Sequence, residues 1–130
     1  MINVSEISEY HAHVYYTPEQ KELAAVLREG VTERFEVRMG RWHDKAVGPH
    51  PCSMFQIAFA PALLGALLPW LMLNRNGLDI LIHPESGHGH AADHSDHALW
   101  LGQKLEIDLE LLRRYDAGEL DDSEVLPPSS

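Results

Sequence analysis

Four segments with strand periodicity and two with helical periodicity follow in the order β-α-β-β-α-β. That order predicts an α+β fold: a ferredoxin-like βαββαβ antiparallel sheet with two helices on one face, plus a C-terminal extension. Two further observations agree. Each strand segment is apolar on one face and more polar on the other, so one face can pack under helices. The chain has 130 residues, 45% hydrophobic and 23% charged, which suits one domain that buries its core without disulfides. Residues 1–115 are expected to form that domain, and 116–130, acidic and ending PPSS, a flexible tail.

Residues 10–16, YHAHVYY, are rich in aromatic and β-branched types and read as the first strand. Alternation puts Ala12, Val14 and Tyr16 on one face and His11, His13 and Tyr15 on the other. A helix follows, with Thr17 as N-cap, Pro18 in the first position and Gln20 closing a capping box. Leu23, Val26 and Leu27 form its apolar stripe, and Gly30 is expected to end it. Residues 33–39, ERFEVRM, alternate as a second strand, with Phe35, Val37 and Met39 opposite Arg34, Glu36 and Arg38. A long loop, residues 40–51, leads to a third strand at 53–59 with Phe55, Ile57 and Phe59 on one face. Pro61 starts a second helix carrying Leu64, Leu67, Leu68 and Leu71, with a kink expected at Pro69. Asn76-Gly77 turns the chain into a fourth strand, 78–83, with Ile80 and Ile82 inward. Residues 104–112, KLEIDLELL, fit both periods; an added strand with a short helix after it is expected.

Composition excludes several classes. Ten basic against twenty acidic residues leave a net charge of −10, which disfavours nucleic acid or an anionic membrane as partner. Cys52 is the single cysteine, so no internal disulfide or cysteine zinc ribbon is available. Residues 1–10 lack the pattern of a signal peptide, and a cytoplasmic location is expected. The uncharged stretch from Ile57 to Leu73 is shorter than the ~20 residues of a spanning helix and contains Pro61, Gly65 and Pro69. It reads as a buried strand running into a buried helix.

Nine histidines are the unusual feature. The expected spatial order of strands is 4-1-3-2, with strands 1 and 3 running one way and strands 2 and 4 the other. In that arrangement His11, His13, His43, His50 and His83 gather at one end of the sheet. His88, His90, His94 and His97 lie in the excursion after strand 4. His11, His13 and His83 also share the face away from the helices. One His-x-His pair is often only polar surface, and the run from His88 to His97 also fits a solvated tract. Convergence of four separate segments points to a metal site, since imidazole ligates iron, zinc, copper and nickel.

The segments YHAHVYY, GRWHDKAVGPHP, MFQIAF, LIHPESG and DHSDHALWLG together resemble the DOPA 4,5-dioxygenase family of the small fungal and bacterial type. The resemblance covers roughly residues 10–112; VGPHP (Val47 to Pro51) and HP…DH…AxWLG (His83 to Gly102) are specific in combination. It implies a ferredoxin-like α+β fold, often dimeric, and extradiol cleavage of catechols with O₂ and non-haem iron(II). The family pattern after strand 4 reads HPxTGDDLxDH, whereas this chain reads HPESGHGHAADH from His83 to His94. His88 and Gly89 replace the acidic pair, and the spacing is one residue longer.

Extradiol cleavage needs iron(II) with open positions for a chelating catechol and O₂. Histidines are on offer more readily than a carboxylate. The expected ligands are His13, His50 and His83, with His11 as a fourth ligand or a supporting partner; Glu36 is a strand away. His94 is the candidate general base, with His43 second. His94 fits equally a helix start, with Asp93 or Ser95 capping residues 96–101. Tyr15 and Trp42 could stack on an aromatic ring, and Arg38 or Arg34 could bind a substrate carboxylate, although a solvated strand face also explains both arginines. Fe(II) is the expected cofactor, with zinc or nickel as alternatives. The expected partners are a small aromatic substrate and O₂, and either a homodimer or residues 104–115 would cover the open face of the sheet. Two other classes fit the same residues: a histidine-rich metal-binding protein with other chemistry, and a small-molecule-binding dimer without ring cleavage.

Overall fold

The alternating strands build a sheet buried on both faces. A computed structural model describes residues 1–125, and the end of the expected tail, 126–130, lies outside the described residues. The strands are β1 (Tyr10–Tyr15), β2 (Arg38–Met39), β3 (Met54–Phe59), β4 (Asp79–Pro84) and β5 (Leu99–Leu101), in spatial order β2-β3-β1-β4-β5. This is the 4-1-3-2 order with a strand added outside β4. Every neighbouring pair is antiparallel. Strands 1 and 3 therefore oppose each other, contrary to expectation, with Tyr10 opposite Phe59 and Tyr15 opposite Met54. The reason is connectivity: the helical crossover returns β2 parallel to β1, and the following loop reverses the chain into β3. His11 and His83 consequently pair across β1 and β4 at one end, while His43 and His50 precede β3 at the other.

On one face Ala12, Val14, Phe55, Ile57, Ile80 and Ile82 pack under α1 (Lys21–Arg34) and α2 (Leu64–Asn74). Leu67 and Leu71 of α2 are fully buried there, each contributing roughly 1.5–3 kcal/mol. Gln20 Oε1 accepts from the Thr17 N–H at 3.1 Å and starts the first helix where the sequence predicts. Gly30 does not end it. The helix runs on to Arg34, because Gly30 is where the Trp70 ring of α2 lies against α1; a Cβ there would sit 2.9 Å from the indole. The second strand shrinks to two residues as a result, although Phe35, Val37 and Met39 still pack on the helix-side core. No helix among the described residues is long and apolar enough to cross a membrane.

The other face is covered by the same chain. Tyr15, Met54 and Leu81 form a second buried cluster beneath Val47, Trp100, Leu105 and Ile107. The added strand is β5 rather than residues 104–112, because β5 takes the free edge of β4. Residues 104–108 alternate onto the second cluster without a strand partner, and the Asp108 N–H donates to Pro49 O at 2.9 Å. α3 (His90–Asp93), α4 (Leu109–Asp116) and α5 (Asp122–Val125) complete the cover. The packed chain thus extends past residue 115: Val125 is buried, and the Asp116 carboxylate accepts from the N–H groups of His90 and Ala91.

Gly48 has φ +54°, and a Cβ there would collide with the Val125 carbonyl oxygen. Gly48→Ala should therefore lose about 1–3 kcal/mol of stability. Gly65→Ala, in α2 with open space around it, should gain up to about 1 kcal/mol. Urea denaturation midpoints of the two variants check the pair of signs.

Candidate metal centre

Strand alternation delivers the first rings. His11 and His13 leave β1 on the helix-free face, and His83 leaves β4 directly opposite His11. The Nε2 atoms of His13 and His83 are 3.0 Å apart. Two loops deliver the others. A turn in which the His50 N–H donates to Val47 O at 2.9 Å lays His50 over β1, with its ring 4.2 Å from that of His13. His94 follows α3 and its ring lies 3.9 Å from that of His83. So the histidines meet over the middle of the sheet face, not at a common end as expected.

Each ring is held by its outer nitrogen. His83 Nδ1–H donates to Pro84 O at 3.0 Å, and His94 Nδ1–H donates to His90 O at 2.7 Å. Carbonyls only accept, so in the neutral rings Nε2 carries the lone pair. With His83 Nε2 an acceptor, the proton between the two rings belongs to His13 Nε2. His13 Nδ1 then holds a lone pair, and this buried atom has no hydrogen-bond partner among the described residues. His50 Nδ1 pairs with the Tyr15 hydroxyl at 2.7 Å, and Tyr15 in turn stacks on Trp100. His11 differs: its side chain is 15% exposed, and its Nε2 and Nδ1 lie 2.8 Å from Glu9 Oε1 and 3.2 Å from Glu85 Oε1.

Burial keeps the inner rings neutral. It depresses the pKa of His13 and His83 well below the usual imidazole range, that of His50 to about 3 and that of His94 to about 4, with further depression from neighbouring imidazoles. Neutral imidazole is the form that ligates a metal. Among the described residues two groups could hold an ion, His11/His13/His83 and His13/His50/His94; within each, one nitrogen per ring lies within 4.8 Å of the others. The second group is wholly buried. An all-imidazole donor set with an orphaned lone pair fits a first-row transition metal.

The rings floor a cleft of about 300 Å³, walled by Glu9, Arg38, Gln56, Glu85 and His90. Other expected residues fall elsewhere. His43 bridges to Met54 through its backbone and does not line the cleft, although it lies near enough to His50 to add to the depression of that ring's pKa. Trp42 packs on the helix side against Tyr16 and Phe55, not where a ring in the cleft could stack. Tyr15 lies beneath His50 rather than on the cleft wall. Arg34 belongs to α1 and sits over Trp70. Arg38 reaches the cleft, but Glu9 holds it. His88 pairs with Glu6 and His97 with Asp93, away from the floor.

Sequence reasoning missed the anchors. Buried Asp93 accepts from the Ser86 N–H at 3.0 Å and the Ser86 hydroxyl at 2.6 Å, pinning the loop from His83 to His94; it caps no helix over 96–101, where β5 forms instead. Glu9 and Glu85, which flank His11, were also missed. A carboxylate two residues from a candidate histidine was the available signal.

Fold and site define a ferredoxin-like α+β protein with a histidine-floored cleft. The chain belongs to the Dopa 4,5-dioxygenase family, whose model matches residues 10–111. It is 37% identical over 117 residues to an uncharacterized 21.2 kDa protein of Botryotinia fuckeliana, covering 81% of this chain and 63% of that one. It is 27% identical over 114 residues to the DOPA 4,5-dioxygenase of Amanita muscaria, covering 81% of this chain and 50% of that one. The chain therefore spans about half to two thirds of the length of these curated relatives. A crystal structure of a candidate dioxygenase from Nostoc punctiforme superposes with TM-score 0.86 at 49% identity, covering 88% of this chain and 99% of that one.

The depressed histidine pKa values set the acid response of the chelator-treated protein. The unfolded chain takes up protons below about pH 6.5, where the folded chain's inner rings stay neutral. Their stabilising contribution is full above that pH and is lost as pH falls toward the folded values, about 4 for His94 and about 3 for His50. Urea midpoints should drop between pH 7 and 4.5, and less steeply for His50→Gln; equal slopes would mean that His50 is hydrated.

Proposed function

We propose that the chain is a non-haem iron(II) extradiol dioxygenase acting on a catecholic, DOPA-like substrate with O₂. The observation that carries this reading is the buried group His13/His50/His94 at the floor of a cleft in a member of this family. His13 binds the ion through Nδ1, the nitrogen without a partner among the described residues. His94 binds through Nε2, since the His90 carbonyl holds its Nδ1. His50 binds through Nε2 with Nδ1–H donating to the Tyr15 oxygen. His83 then stands behind His13, its Nε2 accepting from His13 Nε2–H and its own Nδ1–H donating to Pro84 O. Such outer hydrogen bonds orient ligands and raise their basicity. This assignment moves His83 from ligand to support and commits His94 to the ion rather than to base catalysis.

When bound, iron(II) supplies open positions at which a catecholate and O₂ can meet. The chain supplies the rest. Three neutral ligands leave the ion's charge for an anionic catecholate. The cover over Tyr15, Met54 and Leu81 excludes water from the rear of the rings. The open cleft admits a single aromatic ring, and the carboxylate-flanked His11 forms part of its wall.

Anaerobic purification followed by metal analysis should find about one iron per chain after reconstitution. Addition of O₂ and DOPA or caffeate should give an iron-dependent yellow product. His13→Ala should lose iron and turnover together, whereas His83→Leu should weaken iron binding by about 10–100-fold. Full iron content and activity in His13→Ala would refute the ligand assignment, and no colour from the iron-loaded chain with any catechol would refute the reaction.

A further inference from the structure

The rings floor the cleft, and its mouth governs what can extend from a bound aromatic ring. Arg38 is the one lysine or arginine among the described lining residues. Both its terminal nitrogens donate to Glu9, at 2.9 and 3.1 Å, so this fork is turned to that carboxylate, on a side chain that is 72% exposed. The arginine that the sequence offers for a substrate carboxylate is already occupied. Glu85 stands in the same wall in the opposite condition. Its Oε1 lies 3.2 Å from His11 Nδ1, and His90 Nε2 stands 4.0 Å from its Oε2, too far for a hydrogen bond. His90 is itself held at Nδ1 by Asp116, at 3.0 Å, and its ring meets the Tyr115 edge. The Glu85 side chain is 25% exposed, so its attraction for a cation is less screened than at an open surface. The whole chain, at net −10, adds a field of the same sign.

We propose that Glu85 makes the cleft selective for catechols whose side chain ends in a protonated amine over those whose side chain ends in a carboxylate. The inference rests on the dioxygenase reading and adds to it the charge of the substrate's tail. Glu85 Oε2 accepts the ammonium, while a carboxylate tail meets Glu85 and an Arg38 already paired with Glu9.

Anaerobic titration calorimetry of the iron-loaded chain with dopamine, 4-methylcatechol and 3,4-dihydroxyphenylacetate tests this without turnover. Dopamine should bind about tenfold more tightly than 4-methylcatechol, a difference of ~1.4 kcal/mol, and the acid most weakly. Glu85→Gln should bring dopamine and 4-methylcatechol to similar affinity, and Glu85→Asp should restore part of the preference, with iron content measured on every sample. If neither variant holds iron, Glu9→Gln supplies the second arm: it frees Arg38 and should shift preference toward the acid. Acid binding as tight as dopamine, or dopamine preference surviving in Glu85→Gln, or an unchanged ratio in Glu9→Gln overturns the proposal. Binding of none of the three overturns both it and the dioxygenase reading, which the acid-tight outcome leaves standing.

Discussion

An imidazole ligates only through a lone pair, and in this fold the lone pairs are aimed by whatever holds the opposite nitrogen. The carbonyls of Pro84 and His90 fix the tautomers of His83 and His94, and His83 fixes that of His13. Burial does the complementary work by keeping the rings neutral. Neither condition suffices alone. A hydrated ring would protonate in mild acid, and a buried ring without an outer partner would not be oriented. The cost falls on His13 Nδ1, a buried acceptor without a partner among the described residues, at roughly 1–3 kcal/mol.

That constraint explains why so small a sheet is covered on both faces. On the helix side the strands are held by one buried cluster that includes Val14, Phe55, Ile57 and Ile80. The second cluster adds a water-excluding roof on which Tyr15, pressed against Trp100, carries His50. Asp93 and Asp116 tie the roof down through Ser86 and through the first turn of α3. Loosening either carboxylate would reach the rings indirectly, by letting water into the space behind them.

Elements whose identity depends on neighbours in sequence were legible. Thr17, Pro18 and Gln20 start a helix, Asn76-Gly77 makes a turn, and alternation correctly separates Ala12 and Val14 from His11 and His13. Features that depend on distant neighbours were not. Gly30 carries every local sign of a helix end, but the Trp70 ring, forty residues on, requires it as a contact point. Residues 104–108 alternate like a strand, yet β5 had already taken the edge they needed. For the cleft, histidine content singled out the right residue type, but the route was different: antiparallel pairing sends His50 to the far end of β3, and only the folded-back 47–50 turn returns it. The partners that orient the rings, Pro84 O, His90 O and the Tyr15 hydroxyl, are tertiary facts with no sequence signature.

In the proposed centre one metal ion sits among neutral imidazoles brought from β1, the 47–50 turn and the end of α3. Anomalous diffraction at the iron edge, from anaerobically reconstituted crystals, tests it most directly. A single strong peak is expected within about 2.0–2.3 Å of nitrogens of His13, His50 and His94, with His83 behind His13. A peak bonded to His11 and His83 but not to His50 or His94, or peaks only at surface histidines such as His88, would contradict it.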